Sequence, residues 1–217
     1  MEVEIWSDIA CPWCYIGKRR LENALGRFEH ADALTVTWRS FELDPRGPAE
    51  RVGELAGHLA SKYGMAIEQA REVQQGLTAA AAAEGLVVRF DLARSGNTFD
   101  GHRLVHLAAE QGAQDAMKER LLHAYFSEGR LISDPETLLS TGAEVGLAEP
   151  EIRDLLAGER FAEEVRADER LATELGIRGV PTFIVDRKVG VTGAQPADLI
   201  LEMLRQGWAS RETAVAT

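Results

Sequence analysis

Polar and apolar residues alternate near both ends of this chain, while through its middle the apolar residues recur every three to four positions. Val3, Ile5 and Trp6 open a strand over Glu2 to Ser7, and Asp8-Ile9-Ala10 turn out of it. From Pro12 the stripe Ile16, Leu21, Leu25 and Phe28 predicts a helix running to Phe28, with Lys18, Arg19, Arg20 and Glu22 on its wet side. Leu34 to Leu43 alternates with period two, a second strand stopped by Asp44-Pro45. Helical periodicity then takes over, predicting helices near 50–63, 66–84, 98–111, 114–128, 135–145, 149–157 and 161–175. Gly64, Gly85, Gly112, Gly129, Gly146 and Gly176 punctuate their ends, and Asn97-Thr98, Asp134-Pro135 and Glu149-Pro150 read as starts. Strand character returns at Pro181 to Val185 and Val189 to Thr192, followed by a helix from Ala197 to Gln206. The pattern predicts an α/β domain from residues 1–45 and 176–210, interrupted by an all-helical domain over 46–175, with 211–217 a frayed tail.

Composition narrows the classes available. With 35 acidic and 24 basic side chains the net charge is −11, which repels polyphosphate and anionic lipid, so neither nucleic acid nor a membrane is expected as partner. No apolar run approaches the roughly 18 residues of a membrane span. Met1-Glu2-Val3-Glu4 lacks the basic and apolar regions of a secretory signal, so the expected location is cytoplasmic. Oligomeric state, monomer or homodimer, stays open.

The chain has two cysteines, and they frame Cys11-Pro12-Trp13-Cys14 at a strand-to-helix junction. That placement reads as a redox dithiol. A structural zinc site would need two more ligands among His30, His58, His102, His106 and His123, and only His102 and His106 share helical spacing, so no metal is expected. A thiol at a helix N-terminus meets unpaired N–H groups and the positive end of the dipole, which favours its anion. Lowering a thiol pKa from ~8.5 into the ~3.5–7.5 range takes roughly 1.4–7 kcal/mol, and a helix end supplies at most ~2 of them. Further donors are therefore required. Cys11 is assigned as nucleophile and Cys14, one turn on, as the resolving thiol. Pro12 suits the first helical turn, where its missing N–H costs nothing. Asp8 reads as a helix cap or, alternatively, as proton acceptor for the resolving thiol; Trp13 as packing or as a substrate contact. Lys18 and Arg19 read as a solvated face.

Gly179-Val180-Pro181-Thr182-Phe183 resembles the thioredoxin superfamily loop that faces the redox pair with a cis proline ahead of a strand. Pro181 would then sit close to the dithiol, and the Val180 main chain would dock substrate. Asp8 to Gly17, Asn97 to Leu104, Tyr125 to Gly129, Gly179 to Phe183 and Gly193-Ala194-Gln195 together resemble the FrnE-like branch of the DsbA family. The resemblance implies a thioredoxin fold interrupted by an inserted all-helical domain overhanging the dithiol. Asn97, Thr98 and His102 would then line the cleft, but the plainer reading of Asn97 or Thr98 is a helix cap and of His102 a satisfied surface or core histidine.

Trp13 is a departure, since exported oxidants of the family carry histidine there. The expected activity is thiol–disulfide exchange on protein or small-molecule disulfides, without metal or prosthetic group and with glutathione as a candidate thiol co-substrate. Two alternatives share the features read so far. One is a glutathione-dependent isomerase or transferase of the 2-hydroxychromene-2-carboxylate isomerase or kappa type, against which the dithiol argues because those proteins resemble each other in using a serine-type site. The other is a non-catalytic redox-sensing module.

Overall fold

The computed structural model describes residues 1–215, with side chains as far as 211. Its elements run β1 (Glu2–Ser7), α1 (Pro12–Leu25), a 3-10 turn (Ala31–Ala33), β2 (Thr35–Ser40), α2 (Leu55–Tyr63), α3 (Ile67–Ala83), α4 (Phe99–Glu110), α5 (Gln114–Phe126), α6 (Pro135–Glu144), α7 (Glu149–Ala157), α8 (Ala162–Glu174), β3 (Thr182–Val185), β4 (Val189–Thr192) and α9 (Ala197–Val215). The sheet order is β2-β1-β3-β4, with β1 and β2 parallel and the other neighbours antiparallel. This is a thioredoxin fold carrying a helical insertion, α2 to α8, between β2 and β3.

β1 is buried on both faces, as a central strand between helical layers must be. Val3 pairs with Val185 and Ile5 with Phe183, forming an apolar strip across β1 and β3. Helix α1 approaches that face through Gly17, where a Cβ would lie 3.3 Å from Phe183, and α9 through Gly207, whose Cβ would lie 2.4 Å from Val185. On the opposite face Trp6 donates its indole N–H to the Asp168 carbonyl of α8 at 3.0 Å. There the carboxylate of Glu4, held below its usual pKa, opposes its burial penalty with Arg187 and Arg39. One apolar core joins the sheet to the insertion, running from Ile5, Ile16 and Phe183 to Leu104, Leu121, Phe126 and Leu155.

Three expectations are corrected by this packing. The second strand stops at Ser40 because its partner stops at Ser7, and beyond that point the Leu43 N–H turns to the Asp8 carboxylate at 2.7 Å. Lys18 is buried rather than on a wet face, its ammonium gathered between Glu22, Asp115 and Glu119. Arg19, by contrast, is partly exposed, in a cluster with Glu22 and Glu119. The tail expected to fray from 211 is instead helical through Val215, and 216–217 lie outside the described residues. Trp208 stacks on His30 at 4.1 Å, and Arg211 pairs with Asp186 at 3.3 Å, which anchors the last turns against the thioredoxin unit. Among the described residues no helix is long and apolar enough to cross a membrane.

Candidate active site

The turn after β1 delivers both cysteines to the start of α1. Cys11 is the N-cap residue in an extended conformation, Pro12 follows in the first turn, and Cys14 N–H donates to the Cys11 carbonyl at 3.0 Å. The cysteines are free and approach to 3.3 Å. Both are buried, Cys14 completely and Cys11 at 4% exposure, whereas Trp13 between them stands 44% exposed. Trp13 thus presents part of its indole to solvent beside the dithiol.

The Val180–Pro181 peptide is cis, and the Val180 carbonyl accepts from the Cys11 thiol at 3.6 Å. The loop is held from behind. Thr182 Oγ1 donates to the Gly179 carbonyl at 2.8 Å, and Gly193 N–H donates to the Pro181 carbonyl at 2.7 Å. Gly17 permits the approach of α1, since a Cβ there would lie 2.8 Å from the Pro181 ring.

The reduced pair shares one negative charge, because two thiolates this close in a buried site cannot coexist. Cys11 is pushed well above its usual pKa, first by its hydrogen bond to Cys14 and then by burial. For Cys14 burial opposes the anion, but the Cys11 thiol, the Lys118 ammonium, the Ser7 hydroxyl and the Asp8 N–H outweigh it and hold the thiol below its ordinary value. The helix end was expected to place the charge on Cys11. The added donors sit on the Cys14 side, and the negative Asp8 lies against Cys11, so the charge rests deeper in the pair.

Asp8 does not cap α1. Its Oδ1 accepts from Ala10 N–H at 3.3 Å and lies 3.4 Å from His102 Nε2, while its Oδ2 accepts from Leu43 N–H at 2.7 Å. Burial raises its pKa, yet His102, the Leu43 N–H and Lys118 more than compensate and leave it lowered. Burial pushes the His102 pKa down against the pull of Asp8, and its Nε2 faces the carboxylate. The pair lies wholly inside the protein, so His102 faces Asp8 from α4 rather than solvent. Asn97 works as a cap, its Oδ1 accepting from Phe99 N–H at 2.8 Å, and Thr98 beside it is buried. His106 faces Ser40 and Asp168, away from His102, and no group of three or more His, Cys, Asp or Glu among the described residues is arranged to hold a metal.

No sequence motif marks two buried ionisable residues, one beneath the dithiol and one beyond β2. Lys118, on α5, is fully buried and donates to the Ser7 carbonyl at 3.0 Å; burial pulls its pKa down to about 8 against the pull of Cys14, Asp8 and Cys11. A signal existed, because Lys118 falls in register with Leu121, Leu122 and Tyr125 on the buried stripe of its helix. Glu42 lies just beyond β2 with one oxygen unpartnered and the other bound by Arg166 at 2.6 Å. Burial first, then Glu169 and Asp8, raise its pKa from 4.5 to about 7 despite Arg166. A carboxyl raised on folding costs nothing while both states hold the proton, and its cost grows from pH 4.5 until it is complete above about pH 7. Urea unfolding of Glu42→Gln and wild type should therefore diverge in favour of the variant across that window, by up to about 3 kcal/mol. A difference that stays constant with pH would refute this.

These observations meet the comparisons with known proteins. The DSBA-like thioredoxin domain family matches residues 2–205. The chain belongs to that family. The probable DsbA oxidoreductase SCO1869 of Streptomyces coelicolor is 47% identical, with 96% of this chain and 90% of that chain covered and a TM-score of 0.92. A 2-hydroxychromene-2-carboxylate isomerase shares the fold at 17% identity and TM-score 0.70, each chain covered in full. So does the cytosolic disulfide reductase DsbM of Pseudomonas aeruginosa, at 22% identity and TM-score 0.67 over 95% of this chain and 98% of that one; DsbM has also been solved with GSH. As a DsbA-like protein the chain is placed among thiol–disulfide oxidoreductases.

Proposed function

We propose that this chain is a FrnE-like, cytoplasmic oxidoreductase that reduces disulfides of proteins or small molecules through Cys11 and Cys14. The observation that carries the reading is the free, closely spaced cysteine pair at the start of α1, with Cys11 facing the Val180 carbonyl next to a cis proline. Cys11 is the outer member and meets the substrate. With the pair's proton moved to Cys14, the Cys11 thiolate attacks one sulfur of RS–SR′, forming Cys11–S–S–R and releasing R′S⁻, which takes a proton from water. Cys14 gives its proton to the hydroxide so formed and, as thiolate, attacks the Cys11 sulfur; the Cys11–S–R bond breaks, the protein disulfide forms and RS⁻ leaves. Two glutathione thiols then restore the dithiol and depart as glutathione disulfide. The thiols carry both electrons, so the cycle calls on no metal or prosthetic group. Trp13 and the Val180–Pro181 edge flank Cys11 where a substrate chain would lie, and the solvent-facing indole offers it an apolar contact. The DsbM structure with GSH supports glutathione as the thiol partner.

Wild-type protein with glutathione should reduce insulin over many turnovers, followed by the turbidity of the freed chains. No turnover, together with a glutathione-dependent isomerisation that survives removal of Cys11, would move the assignment to the isomerase class.

A further inference from the structure

Lys118 comes from the helical insertion, yet its ammonium ends beneath the dithiol of the thioredoxin unit. Its contrast with Lys18 is informative, because both side chains are equally buried. Lys18 has three carboxylates within ion-pair distance. Lys118, among the described residues, has none; its hydrogen bond runs to the neutral Ser7 carbonyl, and the Trp38 ring lies 5.8 Å away. An ammonium carries three donors, and burying one with a single neutral acceptor is unfavourable unless an anion lies close by. Two anions are candidates. Asp8 already spends its oxygens on Ala10, Leu43 and His102. The dithiol, at the other side of Ser7, holds a negative charge whenever it is reduced and ionised, and the buried Ser7 hydroxyl has no hydrogen-bond partner among the described residues.

We propose that Lys118 is the counter-ion of the reduced dithiol, so that the helical insertion rather than the cysteine-bearing unit sets its reduction potential. The inference rests on the redox reading of Cys11 and Cys14. A thiolate exists only in the reduced state, so a fixed cation beside it stabilises that state and makes the disulfide a stronger oxidant. On oxidation the anion disappears and Lys118 keeps only Ser7 and the field of Asp8. The groups facing this ammonium are Cys11 at the N-cap of α1, Cys14 and Lys18 within α1, Asp8 from the turn after β1, and His102 from α4. Of these, the two thiols alone change charge with redox state.

Lys118→Met removes charge and donor, whereas Lys118→Gln keeps a donor for the Ser7 carbonyl. Both should lower the thiolate fraction at a fixed pH at least tenfold, read from thiolate absorbance near 240 nm on the reduced protein. Both should also shift the equilibrium with glutathione at least tenfold towards the protein disulfide, which corresponds to ~30 mV. A shift in the methionine variant alone would assign the effect to the hydrogen bond and overturn the proposal, as would folded variants with unchanged titration and potential. Wild type provides a check that needs no variant. The Lys118 ammonium, followed by 15N NMR, should titrate at lower pH in the oxidised than in the reduced protein, and coincident titrations would overturn the proposal. Absent insulin turnover with these shifts intact would count against the enzymatic reading, not against Lys118.

Discussion

Cys11→Ser is expected to abolish insulin reduction, lowering the rate by roughly a hundredfold or more to the glutathione background, because an alcohol can neither ionise near neutral pH nor form the mixed disulfide. Cys14→Ser should behave differently. It keeps the outer thiol and the Val180 carbonyl opposite it, so the first attack proceeds and resolution fails. The variant should accumulate a covalent adduct with one substrate thiol, visible by intact-mass measurement and released by dithiothreitol. The serine hydroxyl cannot carry the charge that Lys118 and the Asp8 N–H favour at Cys14, so Cys11 should ionise more readily in this variant than in wild type. Full activity in Cys11→Ser, or adducts appearing on Cys14 in preference to Cys11, would reverse the assigned roles.

Trp6→Ala is expected to cost about 3–5 kcal/mol of unfolding free energy, the usual range for deleting a fully buried large aromatic side chain. Trp6 lies on the central strand and is wholly inaccessible, and its indole N–H supplies the Asp168 carbonyl of α8. The thermal midpoint should fall by roughly 6–20 °C, since each kcal/mol shifts a chain of this size by about 2–4 °C. Trp6→Phe separates packing from hydrogen bonding: it keeps most of the ring volume but orphans the carbonyl, a loss of about 1–3 kcal/mol. Equal midpoints for the two variants would mean that the indole hydrogen bond, rather than the buried ring, secures α8 to the sheet. In either case Asp168 would lose part of the support with which it holds Arg39 and the Ser40 N–H.

Much of the fold is legible in the sequence because its signals are local. Period-two alternation marks β1, and period-3.6 stripes mark α1 and the helices of the insertion, those of α3 to α8 within a residue or two of their observed ends, while α1 stops at Leu25, three residues before Phe28, where Gly26 caps it and the Phe28 N–H turns back to the Leu25 carbonyl. Helix α2 begins at Leu55 rather than near 50, since the preceding loop is tied instead to 94–97 through Arg51 N–H to Ser95 and Asn97 N–H to Pro48. The C-terminal helix extends past its expected end for the same reason, with Trp208 and Arg211 finding partners on distant elements.

The dithiol was also readable, because motif spacing and the strand-to-helix junction are short-range facts, and its proline loop was readable through its resemblance to the thioredoxin superfamily. What surrounds them was not. Lys18 and Lys118 are the same residue type, one placed on the wet side and the other passed over, and both are buried. Which anions they meet depends on how α1, α5 and β1 cross, and no window of sequence contains all three. Asp8 likewise looked like a cap from its neighbours but turned to Leu43 and His102, residues far along the chain. Taken alone, the sequence determined that two thiols would sit at a helix start in an α/β unit interrupted by helices, since each element there is specified by its own residues, and the thioredoxin-like arrangement followed from the family resemblance of its motifs. Only the tertiary structure decided where their shared charge would rest, because a buried charge is governed by everything within a few ångströms of it, whatever the distance along the chain.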